Sequence, residues 1–209
     1  MTSKPSFERA PAEVIPLHRS RADAEVALVA ALKGKDSRAG DALFAAYGGY
    51  VRRVLIRILG PDPELGDLTQ DVFVTALESI HKLQQPGALR GWLAQIAVFR
   101  ARHCLRSRKQ WSILRFFSPE DLPPVRAREN DFEASEALRA TYRVLSSLSV
   151  DERIVFTLRF VEGMNLADVA AASRVSLATA KRRLTRAEAS FAKLARDEPS
   201  LAEWLGGAR

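Results

Sequence analysis

The sequence predicts an all-α fold: two small helical domains joined by a flexible linker, the second carrying a helix-turn-helix. Three observations predict it. Apolar residues recur at three- and four-residue spacing from Ala24 to Leu83, and again from Phe132 to Ala195, which is the period of one helix face. The strict alternation of a half-buried strand is almost absent. Between the two periodic stretches, residues 110–131 hold Pro119, Pro123, Pro124 and charges of both signs, the composition of a linker.

The elements follow in order. Residues 1–21 are polar and proline-containing and read as a mobile leader. The first helix shows Ala24, Leu28 and Leu32 at four-residue spacing, and Gly34-Lys35-Asp36 breaks it. A second helix is expected from about Ser37 to Leu59, with Leu43, Phe44, Tyr47, Val51, Val54, Leu55 and Ile58 inward. Gly60-Pro61-Asp62-Pro63 ends it, because glycine and proline together stop a helix and set a turn. A third helix runs from about Pro63 to Leu83, and a fourth starts after Pro86-Gly87 with Leu89, Trp92, Leu93, Ile96 and Ala97 inward. Residues 22–109 thus form the first domain and 110–131 the linker.

Helical pattern resumes near Phe132 and includes Tyr142, Val144, Leu145 and Leu148. Ser149 with Glu152 three residues on has the spacing of a capping box, and the helix it opens holds Ile154, Val155, Leu158 and Phe160 before Gly163. Then come Leu166-Ala167-Asp168-Val169-Ala170, a short break around Ser173 with no glycine, and a second helix whose N-cap is Ser176. Its apolar stripe is Leu177, Ala180, Leu184, Ala187, Phe191 and Leu194. The second domain is 132–195, and the tail, 196–209, carries Trp204 and Gly206-Gly207.

Composition narrows the function. The 209 residues carry a formal net charge of +7 and a pI of about 10.0, which favours a polyanionic partner, nucleic acid before an acidic membrane surface. The single cysteine, Cys104, excludes an intrachain disulfide and a multi-cysteine zinc site, and reads as a small buried side chain. No apolar run approaches about 18 residues, so no membrane-spanning helix is expected, and the N-terminus lacks a secretory pattern. A cytoplasmic location follows. His18, His81 and His103 are scattered, and no triad, metal-ligand spacing, Walker loop or glycine-rich nucleotide turn appears. The chain is read as no enzyme, with no cofactor and no metal.

Three surfaces carry the binding chemistry. On the last helix, Thr179, Arg182 and Arg186 point away from the apolar stripe, Lys181 and Arg183 flank it, and no acid intervenes between Arg174 and Arg186. With Ser176 at its start, this is the form of a helix built for the major groove. On the fourth helix, Phe99, Arg100, Arg102, His103, Arg106, Arg108 and Lys109 combine cations with an aromatic, and nothing acidic occurs from Trp92 to Ser118. Cations that hold phosphates beside rings that take unstacked bases suit single-stranded or distorted DNA. By contrast, Asp67, Gln70 and Asp71 share one outward face of the third helix, an acidic patch suited to a protein partner.

These segments together resemble the sigma-70 family of bacterial transcription initiation factors, in its two-domain, extracytoplasmic-function group. The resemblance rests on Asp41-Ala42-Leu43-Phe44, Leu65-Gly66-Asp67-Leu68-Thr69-Gln70-Asp71-Val72-Phe73, Arg90-Gly91-Trp92-Leu93-Ala94-Gln95-Ile96-Ala97, Leu148-Ser149-Val150-Asp151-Glu152-Arg153 and Lys181-Arg182-Arg183-Leu184-Thr185-Arg186-Ala187, in that order. It implies that Asp67, Gln70 and Asp71 dock on core RNA polymerase, and that the helix from Trp92 to Lys109 opens and reads the minus-ten promoter element. It also implies that the helix from Ser176 to Arg186 reads the minus-thirty-five element. Core RNA polymerase and promoter DNA are then the partners, and an anti-sigma factor is a third, as many relatives have one. The chain departs from the family pattern at Val98, Phe99 and His103, where an arginine, an asparagine and an aspartate are usual. The competing reading from the residues alone is a helix-turn-helix regulator that acts as a dimer without docking on polymerase.

Overall fold

The computed structural model describes residues 17–114 and 132–201. The expected leader up to residue 16, linker residues 115–131 and tail residues 202–209 lie outside the described residues, as do the side chains of Lys109 and Trp111. Among the described residues eight α-helices succeed one another: α1 (Leu17–Lys33), α2 (Ala39–Leu59), α3 (Leu65–Ser79), α4 (Leu89–Leu114), α5 (Phe132–Ser147), α6 (Val150–Phe156), α7 (Leu166–Ser173) and α8 (Leu177–Arg196). Short 3₁₀ turns at Ile80–Lys82 and Pro86–Ala88 join α3 to α4, and a π-type turn, Thr157–Val161, extends α6. No strand occurs among the described residues. α1 begins within the span read as a leader, and α4 runs four residues past Gln110, the expected start of the linker.

Local signals account for the ends. Ser149 caps α6: its hydroxyl accepts from the Glu152 N–H at 3.4 Å, and the Glu152 carboxylate accepts from the Ser149 N–H at 3.2 Å. Asn165 caps α7 by accepting from the Asp168 N–H at 2.9 Å, and Ser176 caps α8 by accepting from the Thr179 N–H at 3.2 Å. Such caps are worth about 1 kcal/mol each. The turn between α7 and α8 manages without glycine because Arg174 takes the left-handed conformation, φ 55° and ψ 49°. Its N–H and that of Val175 bond back to Ala171 and Ala170.

α2, α3 and α4 pack around Leu43, Val51, Val54, Leu55, Ile58, Val72, Leu89 and Leu93, with Trp92 half-buried against them. Two expectations for inward residues are corrected. Phe44 is 50% exposed, meeting Phe73 edge-on at the rim, and Leu177 is 54% exposed at the first position of α8. Both lie at the margin of their apolar stripe, where periodicity fixes the direction of a face but not its width. In α1 Leu32 is buried and Leu28 packs on the core as expected, Ala24 is exposed, and Val29 is buried as well.

The α5–α8 group packs directly on the α1–α4 group. Ile154, Val155, Leu158, Val169, Ala172, Leu184 and Ala187 share one apolar cluster with the core of the first group. α4 lies against α6 and α7, and α2 against the π-type turn. The last carbonyls of a helix have no partner within it; here the second group provides one for Ile58 and adds a second donor to Ile56, which already accepts from the Gly60 N–H. Buried Arg153 donates from Nε to the Ile58 carbonyl at 2.7 Å, and the Tyr142 hydroxyl donates to the Ile56 carbonyl at 3.1 Å.

Gly60 makes this junction possible. Its backbone sits at φ 82°, ψ −170°, a region open essentially to glycine alone. A Cβ there would come within 3.2 Å of the Tyr142 ring. Gly60→Ala is expected to cost about 1–3 kcal/mol, the usual range for such strain. Thermal unfolding followed by circular dichroism checks this, and an unchanged midpoint would contradict the Tyr142 contact.

Candidate nucleic-acid interface and docking face

α7 and α8 form the helix-turn-helix. Ala180, Leu184 and Ala187 bury one side of α8, and 100° per residue then directs Lys181, Arg182 and Arg186 outward, all exposed. None of these three enters an ion pair within the described residues. Thr179 is half-buried beside the cap, its Oγ1 accepting from the Ser176 hydroxyl at 2.9 Å. Arg183 differs from its neighbours: it turns toward α6 and pairs with Asp151 at 3.0 Å.

On α4 the sequence groups seven residues, and tertiary contacts spread the six described side chains over several sides. Phe99, His103 and Arg106 are exposed on a single stripe, spaced four and three residues apart. Arg100 reaches α3, where it donates to Thr75 Oγ1 at 2.7 Å and lies 3.7 Å from the Asp71 carboxylate. Arg102 reaches the second group, pairing with Asp151 at 3.1 Å and donating to the Ser173 carbonyl at 3.2 Å. Burial lowers its guanidinium pKa from the ordinary value, with the Asp151 carboxylate opposing the shift. Arg106 lies 3.7 Å from the same carboxylate.

Arg108 clamps the turn before α3. It binds Asp62 and donates to Glu64 at 2.7 Å, and the hydrogen bond to Asp62 holds its guanidinium above the usual range. Burial, the largest single influence, would raise the Asp62 carboxyl, but the Arg108 hydrogen bond, the Glu64 N–H and the nearby guanidinium charges together outweigh it and the pKa falls below the ordinary carboxylate value. Cys104 is buried beside this pair, and burial pushes its thiol up, so it remains a protonated packing group.

Asp67, Gln70 and Asp71 are all exposed along α3. The same stripe continues into Val74 and Leu77, with Phe44 beside it and Leu77 covering Gly40. The acidic patch therefore borders an exposed apolar strip. Sequence reasoning missed this half of the face. The available signal was the spacing of Val74, three residues beyond Asp71 and four beyond Gln70, and of Leu77, three beyond Val74. No helix among the described residues is long and apolar enough to cross a membrane.

Comparison with known proteins finds relatives of both helical groups. The family model described as sigma-70 region 2 matches residues 43–111, and that described as sigma-70 region 4 matches residues 138–190. The chain is 27% identical over 170 residues to the ECF RNA polymerase sigma-E factor of Haemophilus influenzae, covering 77% of this chain and 89% of that protein. It is 26% identical over 169 residues to the protein of the same name from Escherichia coli K12, covering 77% and 88%. Among solved structures, CnrH in complex with the cytosolic domain of CnrY superposes with a TM-score of 0.57 at 24% identity, covering 82% of this chain and 97% of that one. RpoE in complex with the anti-sigma factor NepR from Bartonella quintana gives 0.54 at 22% identity, covering 75% and 96%. At these identities the structural likeness is one of fold.

Proposed function

We propose, from the premise that this chain belongs to the sigma-70 family and is a sigma factor of its extracytoplasmic-function type, a division of labour among its helices. A sigma factor directs core RNA polymerase to specific promoters and assists DNA melting, while polymerase performs the chemistry. In this reading residues 22–109 are the docking and minus-ten unit, 132–195 the minus-thirty-five unit and 110–131 the linker between them. The stripe of Asp67, Gln70 and Asp71, with Val74, Leu77 and Phe44, docks on polymerase. Thr179, Lys181, Arg182 and Arg186 enter the major groove of the minus-thirty-five element, with the start of α8 at Ser176 against a phosphate.

Phe99, Arg100, Arg102, His103, Arg106, Arg108 and Lys109 belong to the minus-ten reader. Phe99 and His103 offer exposed rings for unstacked bases, and Arg106 a phosphate contact. Capturing bases from the open strand offsets an unstacking cost on the order of a few kcal/mol per step. The protein acts in the cytoplasm, without catalysis of its own. CnrH and RpoE are each solved with a protein partner, and a sequestering partner of that kind belongs to this proposal.

The observation that supports the reading most is the cationic triplet of α8, Lys181, Arg182 and Arg186, exposed on a helix-turn-helix and in no ion pair among the described residues. The test is co-elution of the purified full-length protein with purified core polymerase, followed by binding of the assembly to promoter DNA. Co-elution supports the proposal. A protein that ignores polymerase and binds palindromic duplex as a dimer overturns it.

A further inference from the structure

The outer turns of α4 have little to hold them. Up to Cys104 the helix buries Ala97, Val98, Ala101 and Cys104 itself. Among the described residues beyond it, Leu105 and Ser107 are half-buried and none is buried. A helix that leaves the core in this way opens easily, because few apolar contacts oppose it. Yet Arg106, the phosphate contact of the minus-ten reader, sits in this stretch, and Phe99 and His103 share its stripe.

Arg108 supplies a tie. Its Nη1 donates to Asp62 Oδ2, and its Nη2 donates to Asp62 Oδ1 at 2.9 Å and to Glu64 Oε2 at 2.7 Å. Bidentate pairing of this kind fixes orientation as well as distance. Asp62 is prepared to receive it: the side chain is 2% exposed, and Pro61 and Pro63 restrict the backbone on either side. Its Oδ1 also accepts from the Glu64 N–H at 2.9 Å, at the entry to α3. One carboxylate thus joins the start of α3 to the outer end of α4. Two carboxylates face one guanidinium, so the cluster as a whole is negative and offers phosphate no attraction.

We infer that Asp62 and Arg108 are positioning residues: Arg108 makes no contact with DNA, and its capture by Asp62 holds the outer turns of α4 so that Phe99, His103 and Arg106 meet the minus-ten strand together. The inference rests on the reading of α4 as the minus-ten reader. A binding constellation works when its groups are held within about 0.5 Å of the productive geometry, by neighbours that are themselves locked. Removing an acid from a DNA-binding protein ordinarily tightens binding, because phosphate attraction rises. Loss of Asp62 weakens it here.

The full-length chain is assembled with core polymerase for the test. The probe is a labelled promoter fragment that the parent assembly transcribes, and its affinity is measured across a salt series. Asp23→Asn, on exposed α1, is the control of equal charge change, and Arg106→Gln the control for a lost phosphate contact. Asp62→Asn is expected to bind about fivefold more weakly than Asp23→Asn while co-eluting with core polymerase as the parent does. Arg108→Gln is expected to weaken binding to a similar degree with the slope of log affinity against log salt unchanged, where Arg106→Gln makes it shallower by about 1. Asp62→Asn that binds as tightly as its control, or tighter, overturns the inference. So does Arg108→Gln with parental affinity, or with the slope of Arg106→Gln. Loss of co-elution in Asp62→Asn also overturns it, since Asp62 would then act through α3. Should Asp62→Asn fail to fold, affinity and slope of Arg108→Gln decide. Hydrogen exchange of the free chain tests the tie without polymerase or DNA. Amides of residues 104–108 should exchange about tenfold faster in Arg108→Gln than in the parent, with those of α2 unchanged, and equal rates overturn the tie. A parent chain that does not co-elute with core polymerase, while this exchange result holds, counts against the sigma-factor reading alone.

Discussion

Alanine at both Arg182 and Arg186 is expected to weaken binding of the polymerase assembly to a minus-thirty-five duplex by at least thirtyfold. An arginine that reads a base edge is worth about 1–3 kcal/mol, and one that holds a phosphate also sets the salt dependence. Two such losses give about 2–6 kcal/mol, and every 1.4 kcal/mol is tenfold. The fold should survive, because both side chains are exposed, neither enters an ion pair within the described residues, and alanine is the best helix former. Fluorescence anisotropy across a salt series measures both quantities. The slope of log affinity against log salt should become shallower by about 1 for each phosphate contact removed. A loss below threefold, with the slope unchanged, would take α8 out of the groove.

Charge reversal at Asp67 and Asp71 together, to lysine, is expected to reduce affinity for core polymerase at least a hundredfold. Placing like charges against a basic docking surface costs several kcal/mol. The change also turns the Asp71 contact with Arg100 from attraction to repulsion, a local effect at an exposed site. Binding of the free protein to DNA should hold or strengthen, since the substitutions add positive charge. Immobilised core polymerase provides the measurement. Retained affinity would take the acids out of the docking face and leave its apolar half, Val74, Leu77 and Phe44, to be probed by Leu77→Asp.

Much of this molecule is written in short-range signals. Ser149 and Glu152 specify a capping box because the two groups that satisfy each other are three residues apart, and Gly60-Pro61 stops α2 for reasons internal to the chain. The buried faces of α4 and α8 follow from spacing alone, as does the outward direction of Lys181, Arg182 and Arg186. Asn165 was equally legible, with Asp168 three residues on, yet it went unread as a cap. The width of a buried stripe was not legible, and Phe44 and Leu177 fell on its exposed margin.

Long-range partners were beyond reach. A run of arginines on one helix reads as one surface until the acids that claim them are known. Asp71 takes Arg100, Asp62 and Glu64 take Arg108, and Asp151 takes Arg102 and Arg183 from helices far apart in sequence. The seating of the second helical group on the end of α2, through Arg153 and Tyr142, leaves no mark in local periodicity.

Run-off transcription with purified core polymerase and the full-length protein, on a library of promoter fragments, tests the central claim most directly. The account predicts transcripts from a subset of fragments only when the protein is added, and their loss when Arg182 and Arg186 are both alanine. Protein that binds core polymerase yet yields no transcript from any fragment would contradict it.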